Sequence, residues 1–330
     1  MKHILNRLIN HENISSDEAR NVLVNISAGQ YNQSQIASFL TVFMMRSITL
    51  KELQGFRDAL LELCIPVDLS DYNAIDLCGT GGDGKDTFNI STLSAFVTAG
   101  AGVKVSKHGN YGVSSASGSS NVMEALGVQF TNDVDKLKQT IDQANICVMH
   151  APLFHPAMKN VAPIRKELGV KTFFNMLGPM VNPSFPKNQM VGVFNLELQR
   201  LYGYLYQNTD KNYSIVHALD GYDEISLTGN TKIISNHSET MLTPTDLNVK
   251  QIEQSEIFGG ASVKEAAKIF KAIIEGHGTT AQNNVVLANA GLAIATVNNL
   301  THIEGFHLAK ESLESGSAKR SLKKLIELSK

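Results

Sequence analysis

The residues from Gly79 to Thr92 are the part of the sequence best suited to bind a phosphate group. Glycine occupies four of six successive positions there, at 79, 81, 82 and 84. A backbone this rich in glycine can approach an anion closely and direct several N–H groups at it. The residues from Asp86 to Thr92 then add hydroxyl, amide and carboxyl side chains before an apolar run resumes. This composition predicts a loop that holds an anionic ligand.

Two well-known glycine patterns compete for the same residues. The dinucleotide pattern GxGxxG requires a helix that begins at the loop and an acidic residue about 20 positions later. The segment from Lys85 to Asn89 does not resemble an amphipathic helix start, and Lys107 ends the next apolar run. The P-loop pattern requires Ser or Thr where this chain has Asp86, whose carboxylate would repel phosphates. A tight turn alone would need fewer glycines.

A third interpretation uses all of these residues. The loop amides bind a diphosphate, and the positive end of the dipole of the following helix also favours the anion. Lys107 contributes a positive charge from the next strand end, and the Ser-rich segment 114–120 forms a second anion-binding loop before another helix. Two such loops fit a ligand with two separated phosphate groups. Phosphoribosyl pyrophosphate (PRPP) has this form.

Hydrophobic periodicity divides the chain into two regions. Residues 1–70 show helical spacing, with capping-box patterns at Ser15 and Thr49. Residues 71–330 alternate between apolar strands and helices, which predicts an α/β domain with a mostly parallel central sheet covered by helices. Strands are predicted at 74–78, 103–106, 146–150 and 213–219, and helices at 92–101, 121–126, 133–144 and 284–297. Polar clusters follow the strands, so we expect them to meet at the carboxyl edge of the sheet.

Composition narrows the class of protein further. The 330 residues carry a formal net charge of −2, which argues against a nucleic-acid-binding protein. The three cysteines form no CxxC pair, as expected for a cytoplasmic protein. The sequence contains neither a signal-peptide pattern nor an apolar run of membrane-spanning length. We therefore expect no nucleic-acid and no membrane partner.

Five segments together resemble the anthranilate phosphoribosyltransferase family. They occur in family order at residues 79–92, 107–110, 114–127, 155–183 and 220–224. The resemblance implies the fold shared with pyrimidine nucleoside phosphorylases, in which a small helical domain accompanies a larger α/β domain. It places a domain boundary near residue 70, with part of 160–185 joining the helical domain. It also implies a homodimer formed through the helical domain.

The implied reaction transfers the 5-phosphoribosyl group from PRPP to the amine of anthranilate and releases pyrophosphate, the second step of tryptophan biosynthesis. No general acid or base is implied; His108 and Arg165 are candidates for positioning. Anthranilate would be bound by Gly79, Asn110 and Arg165. Implied PRPP contacts are Gly79, Gly82, Asp83, Thr87, Asn89, Ile90, Ser91, Thr92, Lys107, His108, Gly109, Asn110, Tyr111, Gly112, Val113, Ser114, Ser115 and Ser119.

The resemblance also implies a magnesium site formed by Ser91, Asp223 and Glu224, with two Mg²⁺ ions per monomer. Taken alone, the acidic pair would suit a charged surface equally well. Its predicted position after a strand, beside a diphosphate site, favours magnesium, which binds a few carboxylates together with phosphate oxygens.

Two positions depart from the family pattern. Tyr111 replaces a common arginine and Ala116 replaces a common lysine, so both changes remove positive charge beside the phosphoribosyl site. Two other functions compete with the predicted one: a pyrimidine nucleoside phosphorylase of the same fold, and a noncatalytic paralogue that binds nucleic acid.

Overall fold

The computed structural model describes residues 1–112 and 117–330. The predicted site residues Val113, Ser114 and Ser115, and the departure at Ala116, lie outside the described residues. The α-helices are α1 Lys2–Ile9, α2 Ser16–Ser27, α3 Gln33–Met45, α4 Leu50–Glu62, α5 Ile90–Gly100, α6 Ser119–Ala125, α7 Val134–Ala144, α8 Ala151–Phe154, α9 Ala162–Leu168, α10 Leu196–Tyr206, α11 Val263–Ile274, α12 Thr280–Asn298, α13 His302–Glu314 and α14 Ser317–Ser329. The strands are β1 Ile75–Gly79, β2 Val105–Gly109, β3 Ile146–His150, β4 Asn188–Gly192, β5 Asn212–Ala218, β6 Thr231–Ser235 and β7 Glu239–Leu242.

The chain forms two compact units, and each is built from two separate segments. The helical unit contains Met1–Val67 and Ala151–Pro183. The α/β unit contains Asp68–His150 and Ser184–Lys330. The segment that returns to the helical unit therefore begins earlier than the 160–185 stretch expected from the sequence.

The helical unit is organised around a cluster of phenylalanines. The capping boxes predicted at Ser15 and Thr49 are confirmed at the starts of α2 and α4. Phe173, from the returning segment, stacks on Phe56 with ring centroids 4.3 Å apart. It also makes edge contacts with Phe39 and Phe43 at 6.1 and 5.3 Å. Since aromatic side chains bury large apolar areas, this cluster fixes the returning segment within the unit.

The α/β unit contains a seven-stranded sheet in the order β3-β2-β1-β4-β5-β6-β7. The first five strands in this order are parallel, and β6 and β7 add as an antiparallel edge. This architecture confirms the predicted mostly parallel sheet. The chain continues from β1 to β2 on one side, whereas β4 lies on the other side of β1. Ligands of open α/β sheets bind outside the carboxyl ends of strands at such a switch point.

Helices cover this sheet and complete the core. α5 and α12 pack against each other and against β1, and α12 also contacts β4 and β5. Residues on all sides of α12 are buried, from Val285 to Ala295 without interruption, as expected for a helix inside a core. None of the described helices combines the length and the apolarity that a membrane crossing requires.

Candidate active site

The carboxyl ends of β1 and β4 are shaped to admit Asp223. Gly79 ends β1 and pairs with Gly192, which ends β4. A Cβ atom on Gly79 would lie 2.2 Å from Asp223 Oδ2, and one on Gly192 would lie 1.4 Å from the Asp223 carbonyl oxygen. Residue 192 must therefore be glycine for Asp223 to lie there, and a side chain at residue 79 would displace the Asp223 carboxylate. Gly192 was not predicted, because β4 begins with the polar residues Asn188 and Gln189 and was not recognised as a strand.

The glycine loop after β1 adopts a backbone that only glycine adopts readily. Gly81, Gly82 and Gly84 have φ angles of +64°, +76° and +75°. The Gly81 N–H donates a hydrogen bond of 2.7 Å to Asp223 Oδ2. The loop thus directs a backbone donor at the Asp223 carboxylate, and its binding of a ligand anion stays a prediction.

The start of α5 provides the second set of donors. The helix begins at Ile90, two residues before the predicted start, and the side chain of Asn89 does not cap it. The Ser91 N–H instead donates to Glu224 Oε1 at 3.1 Å. The Thr87 hydroxyl contacts Glu224 Oε2 at 3.4 Å, and the Thr92 hydroxyl is buried without a hydrogen-bond partner among the described residues.

The two acids are buried and their ionised forms are disfavoured. Asp223 is 7% exposed and Glu224 is 9% exposed. Burial, followed by the charge of Asp83, raises the pKa of Asp223 to about 7. Burial, followed by the charge of Asp223, raises the pKa of Glu224 well above its ordinary value. A cation bound here would reduce the repulsion between the negative charges of these carboxylates.

The donor set fits magnesium if the substrate completes the coordination. Asp223, Glu224 and Ser91 offer oxygen ligands, which are those that Mg²⁺ prefers. Within residues 1–112 and 117–330, no group of three or more His, Cys, Asp or Glu side chains is arranged to hold a metal ion. Because Mg²⁺ is often bound by one or two carboxylates plus substrate phosphates, this incomplete set is typical of a substrate-shared ion.

Lys107 lies inside β2, although the sequence placed it after the strand. The side chain is 1% exposed, and its Nζ donates to the Leu77 carbonyl of β1 at 2.6 Å. Burial lowers its pKa, whereas Cys78, Asp76 and Glu224 act in the opposite direction. Neighbouring His108 donates its backbone N–H to Asp76 Oδ1 at 3.1 Å. Both residues are thus fixed at the carboxyl end of the sheet.

Asn121, which was not predicted, fastens the second loop at both ends. Its Oδ1 accepts the N–H of Gly112 at 2.9 Å and that of Gly118 at 3.0 Å. The first turn of α6 is also tied to the loop, because Ser119 Oγ donates to the Asn110 carbonyl at 3.2 Å. A hydrogen bond of 3.1 Å from Asn89 Nδ2 to the Ser117 carbonyl joins this loop to the first. The sequence signal was an asparagine early in a short helix.

Tyr111 is held by polar and aromatic contacts. Its hydroxyl donates to Glu124 Oε1 at 2.8 Å. Its ring meets the His150 ring edge to face, with centroids 4.7 Å apart, and Phe130 stacks on the same imidazole at 4.6 Å. His150 in turn shares a 2.9 Å hydrogen bond with Ser120. Packing contacts therefore fix residue 111 of this chain, a position where the family commonly has a positively charged side chain.

Arg165 belongs to the helical unit, on α9. Its Nη2 donates to Asn175 Oδ1 at 3.2 Å, and its guanidinium lies 5.2 Å from the Phe174 ring centroid. Burial lowers its pKa. None of the ion pairs found within the described part of the chain involves Arg165. A half-buried guanidinium of this kind is suited to bind a carboxylate ligand.

The α/β unit brings together the described candidates for PRPP and magnesium. Gly79 ends β1. Gly82, Asp83, Thr87 and Asn89 to Thr92 lie on the first loop and at the start of α5, while Lys107 to Gly109 end the neighbouring strand. Asn110 to Gly112 and Ser119 flank the second loop. The acidic pair follows β5 and reaches the first loop. Of the anthranilate candidates, Arg165 alone belongs to the helical unit.

Comparison with known proteins assigns the helical unit and the α/β unit to one class of transferase. A family model described as a glycosyl transferase family a/b domain matches residues 71–319. A second, described as the helical bundle domain of that family, matches residues 2–64. Both the fold and the class of enzyme follow from these matches.

Individual relatives narrow this class. An anthranilate phosphoribosyltransferase of Flavobacterium psychrophilum is 73% identical over 329 residues and covers 100% of both chains. The crystal structure of that enzyme from Thermus thermophilus is 31% identical, covers 98% of each chain and has a TM-score of 0.91. The Saccharomyces cerevisiae enzyme in complex with PRPP and Mg is 28% identical, with a TM-score of 0.89 over 98% of this chain and 96% of that one. The chain belongs to the anthranilate phosphoribosyltransferase family, and the predicted resemblance is confirmed.

Proposed function

We propose that this chain transfers the 5-phosphoribosyl group of PRPP to the amine of anthranilate, forming N-(5-phosphoribosyl)anthranilate and pyrophosphate in the second step of tryptophan biosynthesis. The main support is the convergence of the glycine loop, the start of α5 and the Asp223–Glu224 pair at the switch point between β1 and β4. A nucleoside phosphorylase would have no diphosphate for such an acidic pair to share through magnesium.

The diphosphate of PRPP would be bound by the first loop and the start of α5. Asp83, Thr87, Asn89, Ser91 and Thr92 would surround the diphosphate, and the N-terminal end of the α5 dipole would favour its charge. The 5-phosphate would be bound by the second loop, whose ends at Gly112 and Gly118 are joined through Asn121.

Magnesium would be held by Ser91, Asp223 and Glu224 together with the diphosphate, with two ions per monomer. Bound there, the ions would neutralise charge on the departing pyrophosphate. The raised pKa values of both acids support a cation site, since two buried carboxylates in one place are unfavourable without a counter-charge.

Anthranilate would be oriented by its carboxylate. Arg165 offers a planar guanidinium for paired hydrogen bonds, with Gly79 and Asn110 as further contacts. An aromatic amine is already neutral at pH 7, so catalysis requires orientation and stabilisation of the leaving group rather than a strong general base. The reaction therefore needs no catalytic acid–base pair. His108 would be a second positioning residue.

We also propose a cytoplasmic homodimer that associates through the helical unit. Ile9 at the end of α1 is 61% exposed, and Met45 at the end of α3 is 80% exposed. We propose that these two apolar side chains are covered in the dimer contact. The free cysteines Cys64, Cys78 and Cys147 suit a reducing compartment.

The decisive experiment follows the loss of anthranilate fluorescence. Purified protein is mixed with anthranilate, and PRPP and Mg²⁺ are each supplied or withheld. We expect consumption only when both are present. Consumption without PRPP, or phosphorolysis of a pyrimidine nucleoside in a parallel assay, would overturn the proposal.

A further inference from the structure

A buried asparagine on α12 binds the backbone directly after the acidic pair. Asn289 is 2% exposed. Its Oδ1 accepts the Ile225 N–H at 3.0 Å, and its Nδ2 donates to the Ile225 carbonyl at 2.9 Å. A third hydrogen bond runs from Nδ2 to the Val285 carbonyl of its own helix, at 2.8 Å. The amide thus grips both polar groups of the residue that follows Glu224.

The environment of Asn289 makes this arrangement unusual. The surrounding residues of α12, from Val285 to Ala295, are buried and mostly apolar. An amide in such a place is costly unless its hydrogen bonds are made. A leucine would fill this position equally well. The polar side chain is therefore explained by the hydrogen bonds that it makes to Ile225.

The other sides of the acidic pair are restrained by backbone. Gly81 N–H holds the Asp223 carboxylate, and Ser91 N–H holds the Glu224 carboxylate. Gly192 packs directly against the Asp223 carbonyl. A cavity of about 10 Å³, room for roughly one water molecule, is lined by Asn289, Ser91, Asp223 and Glu224 among others. Asn289 therefore reaches the same small space as the proposed metal ligands.

We propose that Asn289 is a positioning residue that holds the backbone of Asp223 and Glu224 where the two carboxylates share Mg²⁺ with the diphosphate. This inference rests on the proposed function. The two carboxylates repel each other, so an unrestrained loop would let them separate. Residues that orient metal ligands in this way typically change metal affinity 10–100-fold when replaced.

The test compares three variants with the wild type. Asn289→Leu removes the side-chain hydrogen bonds at similar volume. Val286→Ala is the matched control, because it disturbs the same helix at a fully buried side chain without a side-chain hydrogen bond to Ile225. Asp223→Asn combined with Glu224→Gln removes the proposed metal ligands themselves.

Four quantities are measured for each protein: Mg²⁺-dependent PRPP binding by calorimetry, the Mg²⁺ half-saturation, the KM for anthranilate, and hydrogen exchange over residues 220–227 without ligands. For Asn289→Leu we expect two quantities to rise at least about tenfold: the Kd for PRPP in the presence of Mg²⁺ and the Mg²⁺ concentration at half-saturation. The KM for anthranilate should change little. We also expect faster exchange over 220–227. Val286→Ala should show none of these changes, even if it lowers the melting temperature.

The outcomes separate the inference from the proposed function. If the wild type binds PRPP without regard to Mg²⁺, or the double variant keeps the wild-type Mg²⁺ dependence, the proposed metal site is wrong and the inference falls with it. If the double variant loses the dependence while Asn289→Leu matches Val286→Ala, only the inference is overturned. Should Asn289→Leu fail to fold, Asn289→Ser carries the same comparison, because its small side chain leaves room for water.

Discussion

Asp223 can lie beside the glycine loop because two neighbouring strands end without a side chain. The Cβ of an alanine at residue 192 would overlap the Asp223 carbonyl, which is a backbone atom and cannot rotate away. The position therefore controls the acidic loop directly, although Gly192 itself carries no functional group.

We expect Gly192→Ala to displace the acidic loop, raise the Mg²⁺ half-saturation and lower stability by about 1–3 kcal/mol, the usual cost of overpacking. Mg²⁺ titration and thermal unfolding check this. Gly203→Ala is the control, because its Cβ would make only an ordinary 3.7 Å contact with Ile234. Equal behaviour of the two variants would show that the loop does not depend on Gly192.

In the proposed function, Arg165 binds the carboxylate of anthranilate, the second substrate. Arg165→Ala should raise the KM for anthranilate about 10–100-fold, since a hydrogen bond to a charged group contributes about 1.5–3 kcal/mol. The KM for PRPP should change little. Lys166→Ala removes an exposed charge from the next position of the same helix and serves as the control. An unchanged KM for anthranilate would remove Arg165 from the site.

The sequence predicts the glycine loop from residue type and the acidic pair from the family resemblance. The structure places the loop and the pair in contact, and their roles stay a prediction. The roles of Gly192 and Asn289 were missed, because each depends on a neighbour distant in sequence, whereas Asn121 bonds to Gly112 and Gly118, which lie nine and three residues away. An asparagine or glycine carries no sign of which remote backbone it will meet.

At the level of elements, a single side chain accepts hydrogen bonds from both described ends of the second loop. Asn121 accepts hydrogen bonds from Gly112 and Gly118. Gly118 is also tightly packed, since a Cβ there would lie 2.1 Å from the Gly112 nitrogen. The loop ends are therefore fixed before any ligand binds, which lowers the entropic cost of binding.

Asn121→Ala should raise the KM for PRPP about tenfold, because two hydrogen bonds of about 0.5–1.5 kcal/mol each are lost from the loop. The steady-state KM for PRPP is the measurement. Asn208→Ala is the control, since the Asn208 side chain bonds only to the Tyr204 carbonyl of α10 among the contacts described. A KM equal to that of the control would mean that other contacts hold the loop.

Strand prediction succeeded where burial was apolar and failed where it was polar. Strands β1, β3 and β5 were found within about one residue, whereas β4 was missed. Its first two residues, Asn188 and Gln189, are buried with their amides bonded to Asn73 and Asp76. Hydropathy does not register a buried amide whose partners lie far away in sequence. Strands β6 and β7, which form the antiparallel edge, were also not predicted, because many of their residues are exposed.

For the whole molecule, the discontinuous helical unit has a measurable energetic consequence. Phe173 is 2% exposed and contacts four other phenylalanines, Phe39, Phe43, Phe56 and Phe174. Phe173→Ala should destabilise the helical unit by about 3–5 kcal/mol, the usual cost of removing a buried phenylalanine. Since the chain has no tryptophan, urea unfolding followed by far-ultraviolet circular dichroism is the suitable measurement.

Phe185→Ala is the control, because that ring is 50% exposed; we expect an effect within about 0.5 kcal/mol. Similar losses in both variants would mean that the aromatic cluster contributes little. The domain limits of 1–70 and 71–330 expected from the sequence remain a prediction. Helical periodicity marks the first segment, but only contacts made by the later residues reveal where the chain returns.

The returning segment also has a consequence for the order of folding during synthesis. N-terminal domains generally fold first, as they leave the ribosome. Here Met1–Val67 lacks the ring of Phe173 until β1, β2 and β3 have already been made. Until Phe173 is synthesised, Phe39, Phe43 and Phe56 of the first four helices therefore remain incompletely covered. The nascent chain should be most dependent on chaperones over this interval, before either unit can close.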